Sequence, residues 1–172
     1  MTPLEPDAEA LYRELLAGVR ALWRPGMVLM GIWSGGAWLV ERLAADLAAD
    51  PSGLPGIDKP AVISSSLHRD DFSARGMASG TDATKIPWAV DGADILLVDD
   101  VLFTGRTIRA VLNELFDFGR PASVTLAVLV DRGGRELPIE PAFAATCLQL
   151  PAERKLSLQQ SDDGRFSFAI RG

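Results

Sequence analysis

The run Ile95-Leu96-Leu97-Val98-Asp99-Asp100-Val101-Leu102-Phe103-Thr104-Gly105-Arg106-Thr107 constrains the fold of this chain more than any other. Four consecutive apolar residues read as a strand buried on both faces. Two adjacent carboxylates end the apolar run, and a short loop leads into an amphipathic stretch, Thr107 to Phe118, that reads as a helix closed by Gly119 and Pro121. Strand, short loop and helix in that order form the repeating unit of a parallel α/β sheet. The chemistry of the turn agrees with its shape. Acids at a strand end accept hydrogen bonds from sugar hydroxyls, while backbone N–H groups, the hydroxyls of Thr104 and Thr107 and a helix dipole suit a phosphate. A loop that only joined strand to helix would need one capping residue. The pattern points to a ribose phosphate.

The same alternation recurs along the chain. Asp7 is placed to cap a helix with Ala8, Leu11, Leu15, Val19 and Leu22 on one face, ended by Pro25-Gly26. Met27 to Ile32 is a short apolar strand, Ser34-Gly35-Gly36 a small-residue loop, and Ala37 to Ala49 a helix. Ala61 to Leu67 reads as a further strand, and Val124 to Val130 as another, ending at Asp131-Arg132-Gly133-Gly134. Asp70 to Trp88 holds no sustained period, as expected of a functional lid or a disordered segment. Lys155 to Gln160 and Arg165 to Ile170 flank Ser161-Asp162-Asp163-Gly164, a hairpin signal. The expected architecture is a mostly parallel, twisted sheet flanked by helices, one domain over residues 1–172, with a flexible loop at about 70–88 and a C-terminal β-hairpin. Ligands of such sheets bind beyond the carboxyl ends of the strands, where Gly35-Gly36, Asp99-Asp100 and Asp131-Arg132 all fall.

Composition narrows the function classes. A single histidine, His68, cannot build a two-histidine metal site or a Ser-His triad within one chain. The formal charge of −6 weighs against binding nucleic acid, which needs clustered Lys and Arg, and only three residues are Lys. No apolar run approaches the ~18 residues of a membrane span, and the N-terminus lacks the layout of a signal peptide. One cysteine, Cys147, reads as a small core residue in a reducing cytoplasm.

The stretch Val98 to Thr107 resembles the PRPP-binding motif of type I phosphoribosyltransferases, PRPP being phosphoribosyl pyrophosphate. Leu67 to Ser73, Gly119 to Ala122 and Leu126 to Ile139 resemble the corresponding stretches of the PyrR family, which comprises pyrimidine-operon regulators and uracil phosphoribosyltransferases. The resemblance implies a type I phosphoribosyltransferase fold and transfer of ribose phosphate from PRPP to uracil, giving UMP and pyrophosphate with Mg²⁺. It implies that Asp99 and Asp100 bind the ribose hydroxyls, that Thr104, Gly105, Arg106 and Thr107 hold the 5′-phosphate, and that Gly31, Ser34, Gly35 and Gly36 form the pyrophosphate loop. Arg69 and Asp100 become the residues closest to the chemistry, Arg69 in a closing lid beside the pyrophosphate. Phe103, Asp131 and Arg132 border the base, whose edge backbone groups would read. No direct side-chain ligand to the metal is expected. Phe103 favours a pyrimidine, because purine enzymes with this motif commonly carry an acid there.

Two departures divide the functional reading. Where well-known members have Lys-Thr-Arg in the pyrophosphate loop, this chain has Trp33-Ser34-Gly35, and where many have His it has Gly134. The expected function is a cytoplasmic uracil phosphoribosyltransferase of the PyrR type, homo-oligomeric, that also regulates pyrimidine genes in response to UMP. The alternative is a catalytically weak, nucleotide-sensing regulator that keeps the PRPP/UMP site and acts on RNA or a protein partner. The acidic charge disfavours RNA.

Overall fold

The structure, a computed structural model, describes residues 5–51, 53–65 and 84–172. Helix α1 (Ala8–Leu22) starts at Asp7, whose carboxylate accepts from the N–H groups of Glu9 and Ala10 at 3.0 and 3.1 Å. Its buried face is Ala8, Tyr12, Leu15 and Val19. Tyr12 takes a core place that the apolar pattern gave to Leu11 and Leu22, because its ring is buried while its hydroxyl donates to Asp46 at 2.6 Å. Burial and that hydrogen bond push the Tyr12 hydroxyl pKa up, so it remains a donor.

Five parallel strands follow in the spatial order β2-β1-β3-β4-β5: β1 (Met27–Ile32), β2 (Ala61–Ile63), β3 (Asp94–Leu102), β4 (Ser123–Asp131) and β5 (Phe143–Cys147). Helices α2 (Gly35–Ala48) and α3 (Arg106–Phe118) connect them. The alternation of strand side chains divides the core in two. Leu96, Val98, Ala127 and Leu129 face α1, α2 and a C-terminal hairpin. Ile95, Leu97, Leu126 and Val128 face α3 through Ile108, Val111 and Leu115. The strand order reverses at β1 and β3, so the crevice beyond their carboxyl ends is where ligands of such sheets bind.

Some boundaries differ from the sequence reading. β3 runs on through Asp99 and Asp100 to Leu102, so both acids belong to the strand. The strand expected over Ala61 to Leu67 is described only as Ala61–Ile63. Of the long irregular stretch, 84–88 is described, and Lys85 exchanges two backbone hydrogen bonds with Val62 at 2.8 and 3.0 Å. Cys147 is exposed, because it ends the edge strand β5. Among the described residues no helix is long and apolar enough to cross a membrane.

The hairpin β6 (Lys155–Gln160) and β7 (Phe166–Arg171) forms a separate two-stranded sheet, docked by Leu156, Leu158, Phe166 and Phe168. One carboxylate fixes it to α1 and α2. Glu9 accepts both terminal nitrogens of Arg42 at 2.9 Å and the Phe166 N–H at 2.7 Å, while Arg42 lies over the rings of Tyr12 and Phe166. These bonds, the Arg42 guanidinium first, hold the Glu9 carboxyl below the usual carboxylate range. A lowered folded pKa stabilises the fold above the unfolded value and ceases to do so as pH falls through the folded one. Glu9→Gln is therefore expected to cost about 1–2 kcal/mol at pH 7, or roughly 2–6 °C in Tm. Thermal melts should show that gap closing as pH drops below about 4.

Candidate functional site

Three glycines bring the backbones of β1, α2 and β3 to within contact distance. A Cβ on Gly31 would lie 2.2 Å from the Gly36 carbonyl oxygen, and one on Gly36 would lie 2.4 Å from that of Val98. A Cβ on Gly35 would meet the Asp100 carboxylate at 2.6 Å. The first turn of α2 therefore rests directly on β3, which no other residue type allows. Ser34 precedes that turn without making a side-chain cap, and no acid occupies the turn. The Trp33–Ser34 peptide is cis, the Trp33 N–H donates to the Ile63 carbonyl at 2.9 Å, and the Trp33 side chain stands exposed at the rim.

Because Asp99 and Asp100 are neighbours in a strand, they serve opposite sides of the sheet. Asp99, buried, lines a small concavity of about 120 Å³ with Phe103, Thr104, Gly105, Thr107 and Ile108. Asp100 turns to the other side, toward Gly35, and accepts from the Leu158 N–H of the hairpin at 3.3 Å. Sequence reasoning missed this hairpin contact, which joins residues 58 apart and leaves no local signal.

Gly105 enters α3 with φ +93°, a left-handed conformation suited to glycine, and like Ser34 it leaves the helix start without a side-chain cap. The Thr104 hydroxyl accepts from the Arg106 N–H at 3.2 Å, and the Thr104 carbonyl accepts from Glu136 and Leu137 at 2.9 and 3.1 Å. The Arg106 side chain turns outward to an exposed pair with Glu136 at 2.7 Å, so only its backbone faces the turn. Backbone groups and hydroxyls thus surround a hollow whose lining includes no Lys or Arg among the described residues. An anion there is bound by neutral donors and the helix dipole.

The segment after β4 is held by its own arginines. Asp131 is engaged by Arg135 through two bonds of 2.9 and 2.7 Å and by the Gly133 N–H at 3.0 Å. The Arg135 guanidinium holds the Asp131 carboxyl below the usual carboxylate range. Arg135 also donates to the carbonyls of Ile139 and Phe103 at 2.7 and 3.0 Å. Arg132 is buried and turns away from solvent. It donates to the Arg154 and Pro151 carbonyls at 2.8 and 3.0 Å, with its guanidinium carbon 3.8 Å from the Phe103 ring centre. Arg135 also lies 3.8 Å from the exposed carboxylate of Glu140, and the side chains of Asp131 and Arg132 are occupied by the protein itself. Of the three residues expected beside the base, only Phe103 is among those that line the concavity.

Arg69 and His68 lie outside the described residues, as does most of the expected lid. Among the described residues no group of three or more His, Cys, Asp or Glu is assembled. The donor set present suits a divalent ion that a bound phosphate group itself ligates, rather than one caged by the protein. A cleft of about 730 Å³ lies between α1, α2 and the hairpin turn. It shares no residue with the strand-end turns, and its Glu9 and Arg42 are already paired.

Comparison with known proteins agrees with this geometry. The family model described as "Phosphoribosyl transferase domain" matches residues 5–152. The "Bifunctional protein PyrR" of Ralstonia nicotianae is 46% identical over 175 residues, covering 98% of this chain and 96% of the relative. That of Nitrosococcus oceani is 41% identical, covering 96% and 93%. Among solved structures, a hypoxanthine-guanine-xanthine phosphoribosyltransferase aligns with a TM-score of 0.56 at 17% identity, over 83% of this chain and 76% of that one. A Bacillus anthracis hypoxanthine-guanine phosphoribosyltransferase gives 0.56 at 14% identity, over 84% and 83%. These two structures share the fold.

The glycine contacts generate a direct test. Gly36→Ala places a methyl group against a strand carbonyl that cannot rotate away, and overpacking of this kind costs about 1–3 kcal/mol. A lower Tm is the expected outcome, and an unchanged one would show that α2 is free to move off β3.

Proposed function

As this chain belongs to the PyrR family within the type I phosphoribosyltransferase superfamily, we propose that its strand-end site binds PRPP and UMP and that its main work is to sense the pyrimidine nucleotide. The observation that carries this reading is the hollow between Asp99 and the start of α3. It offers hydroxyls and N–H groups to one phosphate, with a carboxylate beside it for the sugar. In the proposed pose Thr104, Gly105, Thr107 and the Arg106 N–H, which exchanges its Thr104 partner for the ligand, hold the 5′-phosphate, and Asp99 and Asp100 take the ribose hydroxyls from the two sides of β3. Phe103 lies along the base. Gly31, Ser34, Gly35 and Gly36 would face the pyrophosphate position with backbone groups and the Ser34 hydroxyl but no cationic side chain, an arrangement less suited to pyrophosphate than to a nucleotide monophosphate. That asymmetry supports sensing over turnover. Mg²⁺ arriving with PRPP would neutralise charge on the leaving pyrophosphate.

Uracil phosphoribosyl transfer is the second reading, supported by the pair Asp99 and Asp100 and by the hairpin that reaches Asp100. Transfer breaks the bond from C1 of the ribose to pyrophosphate and forms one from C1 to N1 of uracil, whose proton is released. The transition state is oxocarbenium-like and needs no covalent nucleophile. The chain's part is positioning and water exclusion, with Arg69 assigned to the pyrophosphate. The acid-rich composition favours a protein partner over RNA for the regulatory output, in a cytoplasmic homo-oligomer.

Calorimetric titration with UMP and PRPP, beside an assay of UMP formation from uracil, PRPP and Mg²⁺, tests both readings. Asp100→Asn weakens charge-assisted hydrogen bonds of ~1.5–3 kcal/mol and should loosen UMP binding roughly 10–100-fold. UMP binding with slow turnover supports the sensor. Fast turnover abolished by Asp100→Asn promotes the enzyme, and a protein that binds neither ligand overturns both.

A further inference from the structure

The ring of Phe103 is held from three directions. Arg132 lies over it at 3.8 Å, Arg135 binds the residue's own carbonyl at 3.0 Å, and the absence of a side chain at Gly134 makes room for its edge. A Cβ on Gly134 would stand 2.5 Å from the ring. The remainder of the Arg132 guanidinium is spent on the carbonyls of Pro151 and Arg154, in the segment that leads into the hairpin, while its Nε finds no partner among the described residues. Such a side chain is placed for the ring and the segment together rather than for satisfying all of its donors. A planar guanidinium fixed by carbonyls is also a rigid stacking partner, in a way that a lysine is not.

We infer that Arg132 is a positioning residue for base recognition: it clamps Phe103 between β4 and the Leu150–Arg154 segment, so that the ring offers a fixed face to the pyrimidine of the bound nucleotide. This rests on the proposed nucleotide site and adds the element that reads the base. Phe103 is one of the residues that line the hollow assigned to the ribose phosphate, so a base attached to that ribose would lie beside it. Holding the ring beforehand removes the ordering cost that a free side chain would meet on binding.

Ribose 5-phosphate, which lacks the base, separates this role from a general structural one. Titrations of UMP and of ribose 5-phosphate are compared for the wild type, Phe103→Leu, Arg132→Gln and the double variant. Each single change is expected to raise the Kd of UMP about tenfold, and to raise that of ribose 5-phosphate several-fold less. The double variant should bind UMP no more weakly than Phe103→Leu, because Arg132 acts through the ring. Equal weakening of both ligands, or additive losses in the double variant, would overturn the assignment. If Arg132→Gln gives no cooperative melt, Arg132→Lys replaces it, since it keeps the charge and loses the planar fork. Phe103→Leu must lower UMP affinity in either case. A wild type that binds ribose 5-phosphate as tightly as UMP overturns the base platform alone, whereas one that binds neither overturns the proposed nucleotide site.

Discussion

The approach of the first turn of α2 to the backbone of β3 sets the positions of everything around it. A Cβ at Gly31 or Gly36 would fall well inside contact distance of a carbonyl oxygen, and carbonyls in a paired strand cannot turn aside without losing ladder bonds. The helix start, the Trp33–Ser34 link and the carboxyl ends of β1 and β3 are therefore fixed relative to one another. Cβ-free contact at this point is also what leaves the Asp100 carboxylate beside Gly35 with no side chain between them. The crevice at the reversal of strand order owes its shape to atoms that are missing.

From that frame the period-two geometry of β3 does the rest. Adjacent acids in a helix or a loop would share one surroundings. In a strand they are divided between two, so Asp99 meets the start of α3 while Asp100 meets α2 and the hairpin. Each face contributes a different kind of support. The α3 side supplies small polar groups and an uncapped helix start. The other side supplies a cover, held at its far end by Glu9, Arg42 and Phe166. A ligand crossing the end of β3 would feel both, which links occupancy of the site to the seating of the C-terminal hairpin.

Much of this was legible in the chain. The apolar runs of β1, β3 and β4, the hairpin flanking Ser161 to Gly164, the Asp7 cap and the convergence of three strand-end turns follow from local pattern. The family resemblance was also legible, because residue order and spacing carry it. What could not be read is where polar side chains turn. Asp131, Arg132 and Arg135 stand in the right place on β4 and after it, yet their partners include Phe103 and Arg154, 32 and 22 residues distant in sequence. Extension of β3 through two acids was hidden for a related reason: carboxylates disfavour strands intrinsically, and here sheet pairing with β4 overrides that preference. Cys147 looked internal by its neighbours and is exposed because β5 is an edge.

The turning inward of the arginines has a consequence for how the site holds an anion. Arg132 and Arg135 spend their charge on carbonyls and on Asp131, and Arg106 spends its own on Glu136. A phosphate in the described hollow would therefore be held through dipoles and hydroxyls, which act at short range, rather than through net charge, which acts at long range and is screened by salt. In a chain of net charge −6 that choice favours shape over charge: a polyanion gains little from approaching, while a single phosphate fitted to the start of α3 gains its full set of hydrogen bonds. Such a site discriminates by what is attached to the phosphate. In the proposed pose the ribose would meet two carboxylates and the base a clamped aromatic ring, so identity would be read at the sugar and the base once the phosphate had fixed the register.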